Sequence, residues 1–147
     1  MNITITQIGL WRTEVPRQPG ALARALEPLA QHGADLKVVR VRAATRTARR
    51  NIIEVYPGKG QRAAMIVQAA GFSLSPQTTL LLQGENRPGL GYAIANAIAW
   101  AGLGVSDHEA GVVDDRFSST ITFDNEEDAR KAVAIIRKVI RATQPGE

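Results

Sequence analysis

The residues best placed to do chemistry are Asn86-Arg87-Pro88-Gly89-Leu90, with an echo at Gln18-Pro19-Gly20-Ala21. Neither stretch offers a nucleophile with a base beside it. What each offers is backbone. A proline suits the first turn of a helix, where its missing N–H is no loss. The glycines Gly89 and Gly91 let another molecule approach the main chain. The first N–H groups of a helix have no partner within it and carry partial positive charge. A carboxylate set on them gains about 0.3–1 kcal/mol from the helix dipole, with its hydrogen bonds in addition. Asn86 adds a side chain that both donates and accepts. The chemistry expected is noncovalent capture of a small molecule. The competing use is structural: Pro-Gly starts a helix and Asn86 caps the turn.

The elements that must position these elbows are written twice. Pro19 and Pro88 lie 69 residues apart, as do Gly20 and Gly89, and Gly33 and Gly102. A self-similar period of this length predicts two small domains, over residues 1–74 and 75–147, rather than a solenoid. In the first copy, alternation predicts strands at Ile3-Thr4-Ile5 and Gln7 to Trp11, then an elbow from Val15 to Gln18. A helix follows through Gly33, with Pro28 expected to kink it. Strands are expected at 35–42 and 51–56, a helix at 61–70 closed by Gly71, and a brief strand at 72–74. The second copy predicts a strand at 78–82, a helix at 90–101, strands at 104–113 and 117–123, and a last helix capped by Asp124 or Asn125. Leu80-Leu81-Leu82 is apolar on both faces, which marks a covered, central strand. This element order is the split βαβ, or ferredoxin-like, arrangement. The fold class is α+β: two ferredoxin-like βαββαβ units, antiparallel sheets with helices on one face. Nothing strand-like follows Arg141, so Ile3-Thr4-Ile5 is the candidate for the edge that the second copy lacks.

At this point the residues resemble a known family. Glu85-Asn86-Arg87-Pro88-Gly89-Leu90, followed by Gly102 and then Gly104-Val105, is similar to the ACT domain signature. Val15 to Leu36 is a looser second instance. The resemblance covers nearly the whole chain, as a stand-alone tandem ACT protein. It implies a regulatory role with no catalysis, and units that pair side by side. It also implies an amino acid or similar small effector held against the elbow and the start of the first helix. The ligand-binding residues so implied are Asn86, Arg87, Pro88, Gly89 and Leu90, with Gln18, Pro19, Gly20 and Ala21 in the first copy. Asn86 would orient the two charged ends of an amino acid.

Other candidates carry less. Arg40, Arg42, Arg46, Arg49 and Arg50 form a basic stretch after Lys37. RNA-binding modules share this topology but stack bases on sheet aromatics, and the central strands here offer only Tyr56. Residues 1–74 hold 11 Lys/Arg against 4 Asp/Glu, while residues 75–147 hold 7 against 10. The basic hairpin therefore reads as a solvated tip or as a contact that sets register against the acidic Asp107, Glu109, Asp114 and Asp115. Nucleic acid is the third reading. His32 and His108 occupy different places in the repeat and suggest no metal site. Ser118 and Thr120 read as the hydroxyl face of a strand. Trp100 lies off the Leu90-Ile94-Ile98 line, as a core rim or an anchor for a partner.

Composition sets the frame. The chain has 147 residues, 44% hydrophobic and 22% charged, which is globular. Halves of this size bury little surface alone, so each is expected to pack on its copy, on a second chain as a homodimer, or on both. There is no cysteine, hence no disulfide, thiol nucleophile or zinc-thiolate site. No cofactor is expected. The N-terminus lacks a signal peptide's basic start and long apolar core, and no apolar run approaches a membrane span. A soluble cytoplasmic protein is the expectation.

Overall fold

The computed structural model describes residues 3–47 and 49–143. Twelve elements follow in chain order: β1 (Ile3–Ile8), β2 (Trp11–Pro16), α1 (Ala21–Gln31), β3 (Val38–Ala43), β4 (Arg50–Tyr56), α2 (Gln61–Ala69), β5 (Ser73–Leu74), β6 (Thr78–Glu85), α3 (Leu90–Trp100), β7 (Val105–Val113), β8 (Arg116–Phe123) and α4 (Glu126–Ala142). They form two compact units, each an antiparallel four-stranded sheet with two helices. The α+β class and the doubled ferredoxin-like architecture stand as the sequence predicts.

The first unit takes its strands in the order β1-β6-β8-β7. Its edge strand β1 comes from the chain's start and pairs antiparallel with β6, from Ile3 opposite Gly84 to Ile8 opposite Thr79. Contacts divide the chain after Ile8 and after Ser75. Residues 3–8 therefore lie with the second repeat, whose sheet they complete. Leu80, Leu82, Phe117, Ile121 and Phe123 share one face and pack under Leu90, Ile94 and Ile98 of α3 and Ala129, Ala132, Ile136 and Ile140 of α4. The opposite face carries Thr79, Leu81, Thr120 and Thr122, all buried. The apolar run of β6 thus belongs to a central strand covered on both faces. Asn125 is the α4 cap: its Oδ1 accepts from Asp128 N at 2.8 Å, with Glu126, Glu127 and Asp128 in the first turn. Such a cap contributes about 1 kcal/mol.

The second unit has the order β3-β4-β2-β5, the same path through a sheet. Its first strand is Trp11–Pro16, later than the Gln7 to Trp11 run predicted, because Gly9 and Leu10 break the alternating segment in two. Pro16 lies at the end of β2, beyond the reach of β5, which pairs only with Trp11 and Arg12. Its missing N–H therefore costs no ladder bond. Leu29, Ile53, Val55, Val67 and Phe72 form the core. Pro28 does not end α1, which continues to Gln31; its ring leaves only the Arg24 carbonyl without a helical donor.

The repeat is visible in backbone detail. Gly20 has φ 84° and ψ −9°, and Gly89 has φ 84° and ψ −1°. The helices that follow end alike. Gly33 N donates to Ala30 O and Ala34 N to Leu29 O; Gly102 N donates to Ala99 O and Leu103 N to Ile98 O. Both are Schellman closures on a left-handed glycine, and Gly71 closes α2 in the same way.

Candidate functional site

Each elbow runs from the end of a strand to an uncapped helix N-terminus. Neither Gly20 nor Gly89 supplies a side-chain cap, and the first turns of α1 and α3 hold no acidic residue. The contrast with α4 is direct, since there Asn125 and three acids occupy the same position. Some backbone donors are already spent: Leu90 N bonds Arg87 O, and Ala21 N bonds Gln18 O. The N–H groups of Gly89, Gly91 and Tyr92 have no acceptor among the described residues. Pro88 and Gly89 are exposed, as are Gln18, Pro19 and Gly20. Leu90 and Ala21 are buried, so their side chains plug the core and only their backbone belongs to an elbow.

A left-handed glycine at both positions is a conformational requirement. At Gly89 an added Cβ meets nothing within 4 Å, so Gly89→Ala carries only the backbone strain. That strain is about 1–2 kcal/mol. At Gly20 the Cβ also approaches Arg24 Nη1, the far end of a side chain that can swing away. Both single variants are expected to lower the melting temperature by similar amounts, and equal shifts in a thermal scan would check that the two elbows are equivalent.

Asn86 and Arg87 divide their roles. Asn86 is half-buried, and its side chain has no hydrogen-bond partner among the described residues. Its backbone N–H donates to Asp115 O at 2.8 Å. Arg87 points inward and is buried. Its Nη1 donates to Ile140 O at 2.9 Å and to Thr143 Oγ1, so this cation sits on the C-terminus of α4, where the dipole favours it. Nε and Nη2 are buried without a partner among the described residues. The side chain of Arg87 thus ties the elbow to the last helix, and its backbone remains in the elbow.

Sequence reasoning named the acidic and the basic hairpin and missed that each adjoins an elbow. Asp114 and Asp115, with φ 49° and 59°, form the two-residue turn between β7 and β8. This is the type I′ hairpin geometry. The Asn86–Asp115 bond fastens that turn to the elbow. In the other unit Arg17 N donates to Arg49 O at 2.8 Å, an equivalent contact. The second elbow is therefore flanked by an acidic turn and the first by a basic loop. The signal was present as an Asp-Asp pair between two alternating runs. That it would lie on the elbow depended on strand register.

The basic stretch is divided as well. Arg40, Arg42 and Glu54 share one face of their sheet, since Arg40 pairs with Glu54 and Arg42 with Ile52. Arg40 Nε donates to Glu54 Oε1 at 3.0 Å and Arg42 Nε to the same oxygen at 3.2 Å. The Arg40 and Glu54 side chains are 3% and 2% exposed. Arg50 Nε donates to Glu14 Oε1 at 2.8 Å. Arg46 and Arg49 are exposed in the loop. Three of the five arginines are thus engaged by carboxylates within the sheet, which weakens the case for a nucleic-acid face. Trp100, at the end of α3, is 85% exposed and contributes nothing to the core. Among the described residues there is no group of three or more His, Cys, Asp or Glu that could bind a metal ion, and no helix long and apolar enough to cross a membrane.

Neither a protein-family model nor a curated protein matches this sequence. Solved structures do. A protein of Bacteroides thetaiotaomicron superposes with a TM-score of 0.68 at 14% identity, over 94% of this chain and 90% of that one. The ligand-free regulatory subunit of aspartate kinase from Thermus thermophilus gives 0.59 at 19% identity, over 97% of each chain. Aspartokinase III of E. coli, solved in complex with lysine and aspartate, gives 0.54 at 11% identity, over 99% of this chain and 33% of that one. The fold is the one these chains share, two ferredoxin-like units in tandem. At these identities the likeness concerns architecture. Within that fold, Gly20 and Gly89 start equivalent helices.

Proposed function

We propose that this protein is a regulatory chain that senses a small zwitterion, most simply an amino acid, at its second elbow, and catalyses no reaction of its own. The observation that carries the reading is an acidic turn bonded to the elbow that leads into the uncapped N-terminus of α3. The open N-terminus of α3 favours a carboxylate. The turn bearing Asp114 and Asp115 is fastened to the elbow through the Asn86 N–H and the Asp115 carbonyl, and in this reading its two carboxylates answer an ammonium group. The free amide of Asn86 serves either end. The first elbow, flanked by Arg17 and Arg49, lacks the acidic half and is the weaker candidate for the same ligand. The likeness to regulatory subunits supports a regulatory role.

The protein acts as a cytoplasmic homodimer in this reading. Support for the dimer comes from β7, a nine-residue edge strand with Val105, Val112 and Val113 exposed. Tyr92 and Trp100 are exposed on α3. Such a long, exposed edge is a template for another strand.

Calorimetric titration with the twenty amino acids tests the site. One of them is expected to bind, and Asn86→Ala is expected to weaken it by roughly tenfold without moving the melting temperature. No heat from any of them would leave a purely structural module.

A further inference from the structure

The two units differ in how their helices lie on the sheet. In the unit built on β6, α3 and α4 pack against one another. In the other, a groove of about 540 Å³ opens between α1 and α2. Pro28 and His32, one turn apart, form the α1 wall, and the Nδ1 of His32 donates to the Pro28 carbonyl at 2.8 Å. Arg62, Met65, Ile66 and Ala69 recur at helical spacing to form the α2 wall. Met65 is 60% exposed, a large apolar side chain left facing the opening of a groove.

The volume falls within the range of small-molecule pockets, which are mostly apolar with a few polar groups that fix orientation. The polar groups here are at one end. Gln61 and Arg62 are the first residues of α2, a helix with neither a side-chain cap nor an acid in its first turn. Among the described residues that line the groove, Arg62 carries the one permanent charge and there is no carboxylate. A cation at a helix N-terminus opposes the dipole. An anion placed there would answer both the guanidinium and the free N–H groups. We propose that this groove is a second ligand site, separate from the elbow, that takes a small organic monocarboxylate with an apolar body. The apolar part lies along Pro28, Met65, Ile66 and Ala69. The carboxylate sits at Arg62. The unusual helical proline, which the elbow leaves unexplained, then supplies a rigid apolar wall.

The test uses the full chain with decanoate and 4-phenylbutyrate as probes and 1-decanol as the uncharged control. Titration followed by amide NMR should shift His32 and residues 61–70 for at least one carboxylate. Arg62→Gln should weaken that probe by roughly tenfold. Ala69→Trp, a change at an exposed helix position, should abolish it. Asn86→Ala should leave it unchanged, which separates this site from the elbow. The proposal is overturned if neither carboxylate shifts those amides, if decanol binds as tightly as decanoate, if Arg62→Gln changes nothing, or if Asn86→Ala removes binding.

Discussion

Removing residues 1–8 should unfold the unit built on the second repeat and spare the repeat to which those residues belong in sequence. Ile3 and Ile5 pack on the core of that unit, and Ile8 is 4% exposed. Burying an isoleucine fully is worth about 1.5–3 kcal/mol, so three partly to fully buried ones amount to roughly 3–6 kcal/mol. The six-residue ladder with β6 is lost as well, and β6 becomes an exposed edge. Against the 5–15 kcal/mol typical of a whole protein, about 3–6 kcal/mol decides folding for so small a unit. Hydrogen exchange would read the outcome by location. Leu80 and Leu82 amides should lose protection while Ile53 and Val55 keep theirs. The reverse pattern would mean that the N-terminal strand does not complete the β6 sheet. A synthetic peptide of residues 1–8 should restore part of the lost protection.

Glu54→Gln is expected to cost the other unit about 3–5 kcal/mol, the usual penalty for removing one partner of a buried ion pair. Two guanidinium groups converge on Glu54 Oε1, and the Arg40 side chain is as deeply buried as the carboxylate. Glutamine keeps the shape and one acceptor but removes the charge, so desolvation of the cations is no longer offset. The surface pair Arg50–Glu14, about half exposed on both sides, provides the control. Glu14→Gln should change stability by about 1 kcal/mol or less. Urea unfolding of both variants makes the comparison. A second arm separates charge from packing: Arg40→Met with Glu54→Leu should recover most of the loss, because a buried pair is often replaceable by apolar residues of similar size. If Glu54→Gln proved as mild as Glu14→Gln, the buried network would have no energetic role.

The same residues show how far a sequence can be read. Gly20, Gly33, Gly89 and Gly102 were legible because each is a backbone requirement set by its immediate neighbours. The alternation of Phe117, Ile121 and Phe123 against Ser118, Thr120 and Thr122 was legible because a strand's period is two. The start of β2 was not, because Ile3 to Trp11 alternates through the Gly9-Leu10 break. The basic stretch was misleading for a related reason. Five arginines in eleven positions look like one patch, but cross-strand register sends Arg40 and Arg42 to a glutamate more than ten residues away. Arg87 likewise stands in the elbow by sequence, and its side chain serves α4.

By itself the amino-acid sequence determined the duplication, the element order, both elbows and the helix closures, because each depends on local backbone preference or on short-period burial. Tertiary structure alone decided which unit the first strand completes, which carboxylates the arginines meet, and that an acidic turn adjoins one elbow while a basic loop adjoins the other. It also opened a groove between α1 and α2 and closed the equivalent space between α3 and α4. Those outcomes follow from strand pairing and helix packing between residues far apart in the chain, and no local preference encodes them.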